Sequence, residues 1–315
     1  MLNTLQPRLL AQAGDLPALV GAWQESLELK RDAGELADNT VQSYLRGLAR
    51  FLAWCADHQV PEVTPEVLRR WKADQLAQGL KPATINTWLA AARSFFAWAV
   101  ENRMVGYNPT AGVPGATRKG TTKHHSREAL TDSEVRLVLA QPDPATQVGK
   151  RDLAILGLMV YAGLRSVEIH RADLASLRTL QQRMILDITG KGHSEADDYV
   201  VLNPEAEALM RTWLAVRGHR SGPLFTSQST RTLGQRLALR SLRGLVMRYF
   251  GAAGVVGEKT THSLRHSAIT KAINAKGVMG GRTLGRHKSI DTTMIYFHET
   301  TRLIDPVEDA ISYDS

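Results

Sequence analysis

The sequence contains very little cysteine and no long apolar run. Cys55 is the only cysteine among 315 residues, which excludes an internal disulfide and any cysteine-rich zinc site. It lies on the apolar side of a predicted helix, so we expect it in the core. No apolar run reaches transmembrane length, and the first residues form no signal-peptide pattern, so we expect a cytoplasmic protein without a membrane partner. The sequence also lacks a Walker loop and a paired-carboxylate metal site, and we expect no cofactor.

Acidic residues are missing from one long stretch. Between Ala208 and Gly257 the chain contains arginines but neither aspartate nor glutamate. The whole chain has a net charge of +8 and a pI near 9.7, which favours a polyanionic partner but does not separate DNA from RNA or an acidic membrane. Within the stretch, Arg236, Arg240 and Arg243 have i, i+4, i+7 spacing, which predicts one basic helical stripe that contacts phosphates.

Four helices are predicted in the first hundred residues. One runs from Leu19 to Leu29, and the next begins at the cap-type residues Asp38 and Asn39. The third begins with Thr64 as its cap, and the fourth, from K-P-A-T, ends before N-P at 108–109. The aromatic residues of the fourth helix follow a helical stripe and are expected in the core: Trp88, Phe95, Phe96 and Trp98.

Several basic residues of these helices are candidate phosphate contacts, although a solvated helix surface would explain each of them equally well. They are Arg46, Arg50, Lys72, Lys81 and Arg93. Residues 108–127 are predicted to be a linker, since periodicity is lost and Gly, Thr, Pro, Lys and His dominate. In this linker, Arg118, Lys119 and Lys123 suit contacts to a phosphate backbone. The adjacent histidines at 124–125 lack metal-ligand spacing, so no metal site is predicted.

The second half begins with a predicted capping box, Thr131 with Glu134. An apolar helix, D-L-A-I-L-G-L-M-V-Y, then leads to Arg165. A β-hairpin follows, formed by R-M-I-L-D-I and D-Y-V-V-L, and a further helix starts at N-P-E.

The last third of the chain carries a group of residues suited to chemistry on a phosphodiester. His262 and Arg265 lie three apart in the first turn of a predicted helix, so they share a face. His287 follows in L-G-R-H, and Tyr296 comes nine residues later. A guanidinium pairs with non-bridging oxygens, an imidazole donates or moves protons, and a phenol can attack phosphorus.

This pattern resembles the H-x-x-R…G-H…Y signature of the tyrosine recombinases, the phage-integrase and Xer family. The resemblance extends to A-G-L-R-S-V-E, which holds Arg165 and Glu168, and to Lys191 between the hairpin strands. Two features depart from the family pattern. Arg286 is inserted between Gly285 and His287, and the preceding V-M-G-G-R-T is a predicted turn, shorter and more glycine-rich than the usual helix.

The resemblance implies a mainly α fold with two domains. Residues 1–107 would form a four-helix, SAM-like core-binding domain on DNA, and residues 128–315 a mixed α+β catalytic domain with a small antiparallel sheet. It also implies a site-specific recombinase that uses neither metal nor ATP. Tyr296 would form a 3′-phosphotyrosine, with roles in catalysis for six further residues. Arg165, Arg265 and His287 would neutralise the phosphate, Lys191 would protonate the leaving oxygen, His262 would handle the tyrosine proton, and Glu168 would orient Arg165.

The partners implied are double-stranded DNA with an inverted-repeat core site and three further protomers, with a dimer on each of two sites. The acidic tail beyond Tyr296 would dock on a neighbour through Leu303, Val307 and Ile311, although a frayed, solvated terminus is the alternative. Two other functions stay open: a type IB topoisomerase-like relaxing enzyme, and a catalytically silent DNA-binding regulator. The target sequence, and the choice between integration, excision and resolution, do not follow from the sequence.

Overall fold

A computed structural model describes residues 16–117, 129–189, 198–287, 289–290 and 292–294. The chain divides into two compact units, Met1–Thr121 and Thr122–Ser315. The division falls inside the predicted linker. The fold is mainly helical with one small antiparallel sheet, which confirms the predicted fold class. Among the described residues, no helix is long and apolar enough to cross a bilayer.

Residues 16–117 of the first unit contain the four predicted helices: α1 Leu16–Asp32, α2 Asp38–Asp57, α3 Pro65–Ala77 and α4 Pro82–Glu101. Thr64 caps α3 by accepting a hydrogen bond from the Val67 amide, and Pro65 occupies the first turn as expected. The core is built from fully buried aromatic side chains of all four helices: Trp23, Phe51, Trp71, Phe95 and Phe96.

The predicted core positions of Cys55 and of the aromatic residues of α4 are confirmed. Cys55 is buried, and burial raises the pKa of its thiol to about 12, so it is an inert core residue. Phe95 and Phe96 are fully buried, whereas Trp88 and Trp98 are partly buried and pack against the same core. These aromatic rings therefore stabilise the unit and are not exposed for stacking on bases.

Besides two short 3-10 helices, the second unit has six α-helices in its described part: α5 Asp132–Leu139, α6 Gln147–Tyr161, α7 Ser166–Arg171, α8 Pro204–Arg217, α9 Leu239–Ala252 and α10 Thr261–Gly285. The predicted capping box at the start of α5 is present, with Thr131 and Glu134 each accepting from the other's backbone amide. Helix α6 is buried over most of its length and packs against both α8 and α10. It ends four residues before Arg165, so the central core helix of the unit sets the position of that guanidinium.

The sheet has three antiparallel strands: β1 Leu177–Leu180, β2 Arg183–Ile188 and β3 Asp198–Val201, in the order β1-β2-β3. The predicted hairpin of β2 and β3 is confirmed. Strand β1 was not predicted, because it is short and largely exposed and carries no alternation of apolar and polar residues. Lys191 was expected between β2 and β3, and it lies outside the described residues.

Helix α10 corrects the prediction of a turn at V-M-G-G-R-T. The helix is kinked at Lys276 and Gly277, where Gly277 has a φ of 67°, and it is helical again up to Gly285. A side chain at Gly281 would collide with Ile273, so this glycine allows the two halves of α10 to pack closely across the kink. The glycines of V-M-G-G-R-T thus allow close packing between two helical segments, and the break in the helix lies just before them, at Lys276 and Gly277.

Candidate active site

Two segments far apart in the sequence meet in the second unit, one at Gly163–Glu168 and the other at Leu284–His287. Arg265, from the first turn of α10, links them, since its guanidinium donates to the carbonyl oxygens of Gly163 and Gly285. Arg265 is only 4% exposed. Because arginine stays protonated in proteins, these bonds are charge-assisted and hold both carbonyls in fixed positions.

Glu168 accepts hydrogen bonds from two arginines. Its Oε1 accepts from Arg165 Nη1 at 2.7 Å, and its Oε2 accepts from the Arg165 backbone amide at 2.7 Å and from Arg286 Nη2 at 2.6 Å. The Glu168 and Arg286 side chains are 6% and 9% exposed, whereas Arg165 is 37% exposed. The predicted pairing of Arg165 with Glu168 is therefore present. Of the three side chains, Arg165 is the one that solvent or a ligand can reach.

His287 lies beside these cations and is 9% exposed. Its Nδ1 is 2.9 Å from the hydroxyl of the fully buried Thr293. Burial and, to a smaller extent, the positive charges of Arg265, Arg165 and Arg286 together lower the pKa of His287 to about 4. The imidazole is therefore neutral at neutral pH. In this form it can donate a hydrogen bond to a phosphate oxygen, and its role at the phosphate stays a prediction.

Gly285 provides the space that the His287 ring occupies. A Cβ atom at Gly285 would lie 2.7 Å from the His287 Cε1 atom. The residue between them, Arg286, adopts a left-handed conformation with a φ of 48° and a ψ of 49° and ends α10. The glycine and the left-handed turn together fold the His287 ring back against the end of the helix.

His262 occupies the first turn of α10 together with Arg265, as predicted, but the two differ in exposure. His262 is exposed and Arg265 is buried. The imidazole is therefore accessible to a substrate at the surface, while the guanidinium below it braces the backbone. Tyr296 lies outside the described residues, as do Lys191 and the tail with Leu303, Val307 and Ile311.

The residues that match known proteins cover both units. A model of the N-terminal SAM-like domain of phage integrases matches residues 21–103. A model of the phage integrase family matches residues 128–302, more than half of the chain. The chain belongs to the phage integrase family of tyrosine recombinases. Membership supports an enzyme that binds DNA and transfers DNA strands.

Curated tyrosine recombinases match over most of their length. The chain is 30% identical over 287 residues to XerC of Haemophilus influenzae (strain PittEE), covering 90% of this chain and 92% of XerC. It is 29% identical over 290 residues to the tyrosine recombinase slr0733 of Synechocystis, covering 85% of this chain and 88% of that protein.

Solved recombinase structures share the fold. The XerH site-specific recombinase bound to a palindromic difH substrate superposes with a TM-score of 0.70 at 19% identity, covering 98% of this chain and 92% of XerH. The Tn1549 transposon integrase in complex with circular intermediate DNA gives a TM-score of 0.68 at 15% identity, covering 93% and 99% of the two chains.

This recombinase exposes several of the basic residues that were predicted to contact DNA. Arg46 and Arg50 are exposed on α2, and Lys81 is exposed at the start of α4. Arg240 and Arg243 are exposed three residues apart on α9, so they share a face. Their contact with DNA stays a prediction. Arg118, Lys119 and Lys123 lie outside the described residues.

Two predicted phosphate contacts in the first unit bind the chain's own backbone. Lys72 is 8% exposed, and its ammonium donates to the carbonyl oxygen of Pro114. Arg93 donates from Nη2 to the carbonyl oxygen of Val113 at 2.6 Å. Lys72 is therefore not a surface phosphate contact. Both cations fasten the segment that follows α4 to the helical core, because they satisfy carbonyl groups there.

The predicted stripe on α9 is wrong for Arg236, which precedes the helix. Its Nη2 forms an ion pair with Asp173 at 2.6 Å, and its Nη1 donates to the carbonyl oxygens of His170, Arg171 and Ala172. The sequence argument relied on the lack of acidic residues nearby. The compensating carboxylate instead comes from a segment 63 residues away.

Two site residues were missed at the sequence level. Thr293 has an ordinary place in D-T-T-M-I-Y, and no local signal marks it as the partner of His287. Arg286 was visible as an insertion, but its pairing with Glu168, 118 residues away, was not. Burial lowers the pKa of Arg286 while Glu168 opposes this, and the guanidinium remains charged.

In the described part of the chain, no group of three or more histidine, cysteine, aspartate or glutamate residues is placed to hold a metal ion.

Tyr249 is the other tyrosine whose surroundings bear on the choice of nucleophile. It donates to the buried carboxylate of Asp152 at 2.8 Å, and burial together with this bond raises the pKa of its phenol to about 12. Tyr249 is therefore held in a structural hydrogen bond and is poorly suited to act as a nucleophile.

The depressed pKa of His287 predicts a loss of stability in mild acid. The unfolded chain binds a proton at this histidine below about pH 6.5, whereas the folded chain resists protonation down to about pH 4. Stability should therefore fall as pH decreases through this window, by about 1–2 kcal/mol at pH 5. Urea unfolding of wild type and His287→Gln at pH 7.5 and pH 5 measures this. The variant should lose less stability than wild type, and equal losses would contradict the assignment.

Proposed function

We propose that this protein is a site-specific recombinase that cleaves and rejoins duplex DNA through a 3′-phosphotyrosine intermediate. The observation that carries the proposal is the convergence of Arg165, Glu168, Arg265 and His287. Segments up to about 120 residues apart bring them together in a chain that belongs to the tyrosine recombinases. The outcome of this strand exchange is DNA integration, excision or resolution.

The nucleophile in this mechanism is Tyr296. Its phenolic oxygen attacks the scissile phosphorus, the bond to the 5′-oxygen breaks, and a 3′-phosphotyrosine with a free 5′-hydroxyl remains. His262, exposed at the start of α10, accepts the phenolic proton. Lys191 supplies the proton to the leaving 5′-oxygen. A 5′-hydroxyl from a partner strand then attacks the phosphotyrosine, so the ester energy is conserved and neither ATP nor a metal ion is required.

The cationic groups act on the non-bridging oxygens. Arg165 has the accessible guanidinium, and its ion pair with Glu168 already fixes the side-chain conformation. It therefore loses little conformational entropy when it pairs with a phosphate oxygen. Arg265 contributes positive charge from below the surface and keeps the Gly163 and Gly285 carbonyls in place. His287 donates a hydrogen bond from Nε2 as a neutral imidazole, with the Thr293 hydroxyl donating to Nδ1.

The proposed assembly has four protomers on two inverted-repeat DNA sites, because two duplexes exchange two pairs of strands. The tail after Tyr296 couples neighbours in this proposal. Its acidic residues make it a poor ligand for DNA, and Leu303, Val307 and Ile311 supply an apolar edge for a groove on another protomer.

Removing the nucleophile tests the chemistry. Tyr296→Phe should abolish covalent trapping on a nicked suicide duplex and leave the dissociation constant within about twofold, because phosphate charge dominates affinity. Trapping by the variant would move the nucleophile to another tyrosine. Relaxation of supercoils without any preferred site would favour the topoisomerase-like alternative.

The requirement for a metal ion is tested on the wild type, which should trap DNA equally with and without EDTA. Trapping that needs a metal ion would contradict the mechanism.

The exposed pair on α9 predicts a change in salt dependence. Changing Arg240 and Arg243 together to Gln should reduce the slope of log affinity against log salt by about 1.8, at about 0.9 for each lost phosphate contact. Arg236→Gln is the matched control. It should lower the melting temperature and leave the slope unchanged, because Arg236 holds Asp173 and three carbonyl oxygens. An unchanged slope in the double variant would show that this face does not contact DNA.

The tail predicts a separation of binding from assembly. Truncation after Thr301 should leave binding to a half-site unchanged. It should reduce cooperative binding to a full site and impair recombination more than binding. Gel-shift titrations on both DNAs, run beside a recombination assay, measure these effects. Unchanged cooperativity and recombination would favour the solvated-terminus alternative.

A further inference from the structure

Arg286 has a backbone conformation that is unfavourable for arginine. It lies between Gly285 and His287 with a φ of 48° and a ψ of 49°, a left-handed conformation that residues other than glycine, asparagine and aspartate rarely adopt. Such conformations persist where the surrounding structure determines them and often occur at functional sites. Glycine or asparagine would fit this turn better. The presence of arginine therefore points to the side chain.

The side chain of Arg286 is buried against Glu168. Its Nη2 lies 2.6 Å from Glu168 Oε2, and both side chains are less than a tenth exposed. The same carboxylate accepts two hydrogen bonds from Arg165, one from the guanidinium and one from the backbone amide. One buried negative charge is thus shared by two guanidinium groups, one facing the surface and one facing the interior.

The position of Arg286 in the chain gives this ion pair a second consequence. Arg286 is joined directly to His287, and its backbone amide donates to Thr283 at the end of α10. The ion pair with Glu168 therefore fastens the turn that carries His287 to the segment that carries Arg165. Arg265 makes a second link between the same two segments through the Gly163 and Gly285 carbonyls. Arg265 and Arg286 together fix the Arg165 segment relative to the His287 segment.

We propose that Arg286 is a positioning residue for DNA cleavage, which acts through Glu168 to hold Arg165 and His287 in register at the scissile phosphate. This inference rests on the proposed function. The Arg286 side chain is 9% exposed and is bound to Glu168, whereas Arg165 is 37% exposed, so Arg165 is the guanidinium that a phosphate can reach. A merely structural ion pair would affect folding but would not separate cleavage from binding.

The turn allows a substitution that removes the guanidinium without straining the backbone. Asparagine tolerates the left-handed conformation, so Arg286→Asn should fold at least as readily at this turn. Arg286→Lys retains a positive charge that can donate to one carboxylate oxygen. Arg211→Gln is the matched control, since Arg211 pairs with Glu207 on the exposed side of α8.

The experiment measures DNA affinity and the cleavage rate of bound DNA separately. The probe is a nicked duplex carrying a site that the full-length wild type selects from a random duplex library. Arg286→Asn should reduce the single-turnover rate of covalent trapping between about tenfold and about a hundredfold, as expected when reacting groups lose their register. The dissociation constant should change less than twofold. Arg286→Lys should recover part of the rate, and Arg211→Gln should match the wild type.

A double variant tests whether Arg286 acts through Glu168. In a Glu168→Gln background, Arg286→Asn should reduce the trapping rate by less than a further twofold, because the partner is already lost. Full additivity would overturn the proposal, as would a wild-type rate for Arg286→Asn. Equal losses of affinity and rate would also overturn it and indicate a phosphate contact. A wild type that traps no DNA would instead refute the proposed function, and this inference with it.

Discussion

The shared carboxylate of Glu168 is the interaction on which the candidate site depends. It is buried, and it accepts from Arg165 and Arg286 at 2.6–2.7 Å. Removing Glu168 would leave the buried guanidinium of Arg286 without its counter-charge, a loss that typically costs about 3–5 kcal/mol. The Glu168 carboxylate therefore couples the stability of the second unit to the position of Arg165. The accessible guanidinium of Arg165 is placed by the same bonds that hold the Gly163–Glu168 and Leu284–His287 segments together.

The charges of the site are arranged before any substrate arrives. Three guanidinium groups act on His287, two of them paired with the Glu168 carboxylate, and the imidazole stays neutral because burial and these cations lower its pKa to about 4. The excess positive charge suits a phosphodiester whose negative charge increases during attack. Cations held by hydrogen bonds do not need to reorganise as that charge develops, which is the main source of electrostatic catalysis. The neutral imidazole adds a directed hydrogen bond without increasing the repulsion among the cations.

Basic residues of similar appearance in the sequence have different environments in the fold. Arg240 and Arg243 are exposed on α9, whereas Lys72, Arg93 and Arg236 donate to carbonyl oxygens of the chain itself. Carbonyl groups at segment ends need donors when they leave the solvent, and a long cation can reach them while its stem packs against apolar groups. A count of nearby acidic residues does not detect this use, because the acceptors are backbone atoms or distant carboxylates.

The sequence by itself determined the family, the four helices of the first unit, the capping box at Thr131 and the order of the motif residues that carry the family resemblance. These depend on local periodicity, on capping and turn chemistry, and on motifs of a few residues that are contiguous in the chain. The tertiary structure alone decided that Arg286 shares Glu168, that Thr293 contacts His287, that Arg236 belongs to Asp173, and that V-M-G-G-R-T is helical. The physical reason is distance along the chain. The contacts of Arg286 with Glu168 and of Arg236 with Asp173 join residues more than 60 positions apart. The contact of Thr293 with His287 depends on how the chain folds back after α10. The glycines of V-M-G-G-R-T are explained by packing across a kink, which no local pattern reveals.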